Sequence, residues 1–266
     1  MDKPVPVIPD LWQRLKQLTP ARIALGRAGG SVPTQEILRF GLAHAQARDA
    51  VHEPLDVPRL QAELSAAGFS SLAVRSLAAD RAAYLRRPDW GRRLDAADAE
   101  SLARSRAPRS LAFVLADGLS AVAVQRHSVP LLLALEPYLA EVRALPVVVA
   151  TQGRVALGDE IGGLLGAELV AVLIGERPGL SSPDSLGIYL THAPKVGRTD
   201  AERNCISNVR PQGLSYDSAA RKLAGLVAGA RRLGRTGVDL KDESDAALSA
   251  QAVRTLPDEP GGTQVA

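Results

Sequence analysis

The spacing of apolar residues changes near Pro108, and the change sorts the predicted elements into two groups. Before it, helical spacing dominates. Pro33 suits a first helical turn, and Ile37, Leu38, Gly41, Leu42 and Ala45 follow at helical intervals. A second helix is expected across Val57–Ala67, entered at Asp56 with Pro58 in its first turn and stopped by Gly68. Ser71–Ser76 has the length of a short strand. Asp80–Leu94 is charge-rich and interrupted by Pro88, and Asp95–Arg104 reads as a further short helix. Ahead of these lies a proline-punctuated arm, Met1 to about Pro20, with one amphipathic piece at Asp10–Leu18.

Beyond Pro108, strand-length apolar runs alternate with helical segments. Leu111–Ala116, Pro146–Thr151 and Leu169–Ile174 are continuous runs, and Gly187–Thr191 is a weaker fourth. Unbroken Val, Leu and Ile runs belong to strands covered on both faces, as in parallel sheets. A helix is expected across Ala121–Leu139, bent or broken at Pro130, and another across Leu157–Leu165. The clearest helix follows Ser215. Ala219, Leu223, Leu226, Val227, Ala230 and Leu233 form one stripe, Lys222, Arg231 and Arg232 lie off it, and Gly234 closes the end. The expected fold class is α/β, with a mostly parallel sheet and helices on both faces. Its boundaries are an arm and mainly helical region at 1–107, the sheet domain at 108–242, and a tail at 243–266 that is expected to fray.

Composition narrows the function classes. Three Phe, four Tyr and two Trp in 266 residues leave no platform for stacking single-stranded nucleic acid. The net charge is only +3. Arg86–Arg87, Arg92–Arg93, Arg104 with Arg106, and Arg231–Arg232 are scattered among acids, as on solvated faces or subunit contacts, so no nucleic acid is expected as a partner. The single cysteine, Cys205, can form no internal disulfide, and His44, His52, His127 and His192 share no ligand spacing. MDKPVPVIPD is no secretory signal, and no apolar stretch is long enough to span a bilayer. A reduced, soluble, intracellular protein is expected, with no membrane partner.

Each of the four strands predicted beyond Pro108 runs into a polar loop: Ala116–Ser120, Thr151–Val155, Gly175–Ser182 and His192–Pro194. In an open α/β sheet, ligands bind outside the carboxyl ends of the strands, so these loops are expected on one binding edge. Turn chemistry alone also places glycine and polar residues there. Catalytic templates are missing. No P-loop or G-x-S-x-G occurs, His52-Glu53 runs into Pro54 rather than H-E-x-x-H, and Gly26–Gly30 has no strand before it. Thr199–Glu202 has capping-box spacing, which would start a helix carrying Arg203 and Cys205. An inert buried thiol is the ordinary account of Cys205.

Five phrases carry a family resemblance: GERPGLSSPDSLGIYLTHAPKVGRTDAERNCISNVRPQG from Gly175 to Gly213, QGRVALGDEI from Gln152, LADGLS from Leu115, RPDWGRRL from Arg87 and LTPARIALGRAG from Leu18. Together they resemble the small subunit of ethanolamine ammonia-lyase, from about Leu18 to Asp242. The resemblance implies a Rossmann-like domain and an adenosylcobalamin-dependent enzyme that converts ethanolamine to acetaldehyde and ammonia. It implies a large subunit that binds ethanolamine and carries the radical chemistry, in a hetero-oligomer with several copies of each chain. The cofactor would lie where the subunits meet. No side chain here would be catalytic, and the N-terminal arm and the surface beside the loops would face the large subunit.

The family's cofactor contacts fall on Val155 in QGRV, Glu176 in GERPGL and Cys205 in ERNCIS. Val155 and Glu176 follow the second and third strands and so share the expected edge. Arg177 and Arg210 are not singled out by the match. The D-x-H-x-x-G loop that supplies a protein histidine to cobalt is missing, so base-on cobalamin with no protein ligand to the metal is expected. Relatives directed into a bacterial microcompartment carry an amphipathic N-terminal extension. Asp10–Leu18, set between prolines, is a poor match to one, and the cytoplasm is the expected location. Two other readings stay open on the residues alone: a purely structural subunit of the same complex, and an independent nucleotide-dependent α/β enzyme.

Overall fold

A computed structural model of the chain describes residues 7–143 and 146–242. The first six residues of the arm and the tail at 243–266 lie outside them. In the arm, β1 (Val7–Ile8) and β2 (Arg27–Ala28) make a small antiparallel ribbon, and the amphipathic piece forms an exposed 3-10 turn at Gln13–Gln17. The helix α1 (Thr34–His52) follows Pro33, but its apolar stripe is left unpacked. Ile37, Leu38 and Leu42 are more than half exposed, while only Ala43 and Ala50 are buried.

The helix α2 (Val57–Ala66) is capped by Asp56, whose carboxylate accepts from the Arg59 N–H at 3.0 Å, and it buries Leu60 and Leu64. Then come β3 (Ser71–Arg75), α3 (Arg81–Arg86) and α4 (Ala96–Arg104), both helices capped by aspartates, Asp80 and Asp95. The remaining elements are β4 (Arg109–Ala116), α5 (Ala121–Leu135), β5 (Val147–Thr151), α6 (Leu157–Leu165), β6 (Ala167–Gly175), β7 (Leu186–His192), β8 (Arg203–Val209) and α7 (Tyr216–Leu233).

Six strands form one sheet in the order β3-β5-β4-β6-β7-β8. The first three neighbouring pairs are parallel and the last two antiparallel, so β7 alone runs against the other five. The edge strand β3 comes from the mainly helical front of the chain. Helices cover both faces. On one, α2, α5 and α7 pack Leu64, Leu131 and Leu223 over the strands; on the other, α4 and α6 pack Leu102, Leu157 and Ile161. Val147, Val148 and Val149 of β5 are wholly buried, each contributing about 1.5–3 kcal/mol of burial.

Pro130 sits inside α5 and does not break it, the helix continuing to Leu135. Two expectations change. Because β7 is reversed, His192–Pro194 lies at the opposite edge from the other three loops. The capping box forms as expected, with the Thr199 N–H donating to Glu202 at 2.7 Å, and that bond with Arg198 holds the Glu202 carboxyl down to about 2. It starts only the 3-10 turn Asp200–Glu202, however, and Arg203 and Cys205 then enter β8 rather than a helix. Residues 203–209 can satisfy their backbone along the free edge of β7, a partner invisible in local sequence.

Candidate functional site

The loop after β5 is shaped from below by Asp117, the last buried side chain of the β4 strand end. Its carboxylate accepts from the N–H groups of Gln152 and Gly153, each at 2.9 Å, with Arg81 4.0 Å away. Burial pushes the Asp117 carboxyl up, against the pull of those N–H groups and Arg81. The two bonds hold Gln152 at φ +53, a left-handed conformation uncommon outside glycine. The chain then turns to present Arg154 and Val155. Where the loops after β4 and β6 meet, Gly118 and Gly175 pack backbone to backbone. A Cβ on Gly175 would collide with the carbonyl oxygens of Ser120 and Asp117.

These loops wall a cleft of about 390 Å³ lined by Tyr84, Leu119, Val155, Ile174, Glu176 and Tyr189, among others. Tyr84 is buried between the guanidinium groups of Arg81 and Arg154, each 4.6 Å from its ring centre, and burial pushes its hydroxyl up to about 12. Glu176 bends over the start of β7. There Gly187 leaves room, since a Cβ would come within 3.0 Å of Glu176 Oε1. Oε2 accepts from the Asn208 N–H at 3.1 Å, and Oε1 has no hydrogen-bond partner among the described residues.

Cys205 is not on the loop edge. It lies within β8, directly across from Tyr189 on β7, on the face that α6 covers further in. By strand alternation Gly187 and Tyr189 share that face, so Glu176, Tyr189 and Cys205 form one continuous patch. The thiol is exposed, which removes the account of an inert buried cysteine. Partial burial nevertheless pushes its pKa up, the Tyr189 hydroxyl opposing and the nearby Glu176 carboxylate adding to the rise. A neutral thiol is a contact group rather than a nucleophile.

The structure therefore brings Val155 and Glu176 into one cleft, with Cys205 against its Tyr189 wall. Tyr84 and Tyr189 escaped sequence reasoning, although aromatic residues are rare enough in this chain for their positions to have been a signal. Among the described residues no group of three or more His, Cys, Asp or Glu could hold a metal ion, and no helix is long and apolar enough to cross a membrane.

A family model of the ethanolamine ammonia-lyase light chain (EutC) matches residues 9–241. The chain is 57% identical over 248 residues to the ethanolamine ammonia-lyase small subunit of Azotobacter vinelandii, covering 91% of this chain and 92% of that one. It is 55% identical over 261 residues to the small subunit of Bradyrhizobium diazoefficiens, covering 97% and 99%. The small subunit of Pseudomonas aeruginosa is 57% identical over 251 residues, covering 92% of each chain. A family model over residues 9–241 and identities of this extent over nine-tenths or more of each chain place the chain in the ethanolamine ammonia-lyase small-subunit family.

Proposed function

We propose that the chain is the small subunit of an adenosylcobalamin-dependent ethanolamine ammonia-lyase and grips one side of the cofactor through Val155, Glu176 and Cys205. The meeting of Val155 and Glu176 in one partly apolar cleft, with Cys205 beside its Tyr189 wall, carries the reading. The patch suits a corrinoid: Val155, Leu119 and Ile174 offer apolar surface, and Glu176 Oε1 is a free carboxylate acceptor for an amide N–H or a ribose hydroxyl. When bound, the cofactor supplies the radical chemistry. This chain's residues bind and orient. Glu176 accepts a hydrogen bond, Val155 packs, and Cys205 approaches as a small neutral group beside Tyr189.

The cleft is too small and open to enclose a molecule the size of cobalamin, which supports a second wall from the large subunit. The uncovered side chains of α1 and the arm, Leu11, Trp12, Leu38 and Leu42 among them, form the apolar surface on which that subunit would dock. Leu38→Glu with Leu42→Glu should abolish co-purification of the two chains. Unimpaired assembly would place the docking surface elsewhere. The only histidine at a predicted strand end, His192, sits at the far edge, which supports a base-on cofactor without a protein ligand to cobalt. We place the complex in the cytoplasm.

Glu176→Ala in the assembled complex tests the reading. One charge-assisted hydrogen bond is worth roughly 1.5–3 kcal/mol, so adenosylcobalamin affinity, followed by visible absorption, should fall by about tenfold or more. Unchanged affinity in an intact complex would favour a purely structural subunit.

A further inference from the structure

The phrase RPDWGRRL, Arg87–Leu94, carries none of the three cofactor candidates, yet the fold sets it against the loop that carries Val155. Gly91 is the point of contact. Its carbonyl accepts from the Arg154 N–H at 2.8 Å, and a Cβ there would come within 3.1 Å of both Arg154 and Tyr84. The turn Trp90–Arg92 thus seats on Arg154. Arg92 and Arg154 both line a second hollow, of about 730 Å³, which shares Arg154 and Val155 with the cleft.

Five guanidinium groups line this hollow, and their charges are not equally balanced. Arg93 pairs with Glu160, Arg198 with Glu202, and Arg203 with Asp159 and Asp200. Asp89, also on the wall, is held by Arg87. Among the described residues Arg92 has no side-chain partner. Among the same residues Arg154 meets no carboxylate: it stacks on Tyr84 and donates to the Tyr84 carbonyl at 3.1 Å, while its buried Nε has no partner there. The backbone N–H groups of Val155 and Ala156, just before α6, also lack partners among the described residues, and Ala156 provides no side-chain cap. Two guanidinium groups uncompensated by carboxylates and two unpartnered backbone N–H groups, in a concave wall, suit an oxyanion.

We propose that this hollow is a phosphate site, with Arg92 and Arg154 as its cationic donors. Two sources share that chemistry: the phosphodiester of the cofactor's nucleotide loop, and free inorganic phosphate. The first rests on the proposed cofactor role; the second does not.

The assembled complex with the large subunit is the system for the test. Adenosylcobalamin is titrated against adenosylcobinamide, which keeps the corrin and adenosyl groups but lacks the phosphate and base, with binding followed by visible absorption. Inorganic phosphate is titrated separately into cofactor-free complex by calorimetry. Arg92→Gln removes an exposed, unpartnered side chain and so spares folding; Arg154→Lys is the second variant. For the phosphodiester, Arg92→Gln should weaken adenosylcobalamin by about tenfold and leave adenosylcobinamide unchanged. For free phosphate, both corrinoids should bind as in the parent while calorimetric binding of phosphate is lost. Equal losses for both corrinoids, or no change in any titration with either variant, would overturn the site. Glu176→Ala separates the two claims. If it weakens both corrinoids while the arginine variants do nothing, the cofactor reading stands and the phosphate site fails.

Discussion

The two ends of the sheet are built differently. From β3 to β6 the strands are parallel, helices cover both faces, and residues such as Val148, Ala150, Val170 and Val172 are almost entirely removed from water. At β7 and β8 the strands turn antiparallel, and helical cover continues on one face only, where α7 packs Leu223 and Val227. On the other face α6 ends its reach near Thr191 and Arg203, leaving Tyr189 half-buried and Cys205 exposed. The covered end holds the fold, and the proposed cofactor patch begins where the cover stops. Antiparallel strands tolerate a bare face in a way that a parallel sheet does not.

The seam between the ends is itself well built. Arg203 of β8 reaches under α6 to Asp159 at 2.6 Å and to Thr191 at 3.1 Å, with both charged side chains almost fully buried. Such a pair adds less net stability than its length suggests, because desolvation offsets the attraction. Its geometric effect is plainer. It ties the first turn of α6, four residues beyond Val155, to the strand that carries Cys205, and so fixes two of the three proposed contacts relative to each other.

Core substitutions should separate the two ends most sharply. Ile161→Ala empties a wholly buried position under α6 and should cost about 2–5 kcal/mol in urea unfolding. Cys205→Ser, on the bare face of the same sheet, should change stability by less than about 0.5 kcal/mol. Similar costs at both positions would show that the bare face is not bare in solution.

A smaller effect concerns pH. His127 of α5 bonds Tyr216 of α7 at 2.8 Å beneath the outer strands, and burial lowers its pKa below 6.5, Asp184 opposing. The unfolded chain therefore takes up this proton first. The stability the neutral ring supports is complete above about pH 6.5 and declines as pH falls below it. The urea midpoint should drop between pH 7 and 5, and His127→Gln should flatten that drop; an equal slope in the variant would remove His127 from the account.

The smallest effect is kinetic. Because its pKa is raised above 9.0, Cys205 should react slowly with iodoacetamide at pH 7 and progressively faster past pH 9. In the full chain the rate at pH 7 should stay below that of a free cysteine peptide. A faster rate would mean that the thiol is activated rather than merely placed.

Much of the covered end was legible because its residues need few partners to declare themselves. The unbroken runs in β4, β5 and β6 and the Ser215 and Gly234 ends of α7 state their conformations locally. Strand direction is not local. Nothing in GIYLT distinguishes a strand that runs with its neighbours from one that runs against them, so His192 was expected at the wrong edge. The polar alternation of β8 was masked by a true capping box just before it. Val155 and Glu176 were placed together by the rule for strand ends, whereas Cys205 came from family resemblance alone. Asp117 stood in an expected binding loop but turns inward to hold the Gln152–Gly153 bend. The stripe on α1 was legible as a helix face and not as an uncovered one, because apolar spacing states which residues share a face and not what packs against them.

The most direct test is a structure of the assembled complex with adenosylcobalamin bound. The account predicts the corrinoid against Val155 and Glu176, extending along the bare face of β7 and β8 to Cys205. A corrinoid held wholly by the large subunit, with that face open to solvent, would contradict it.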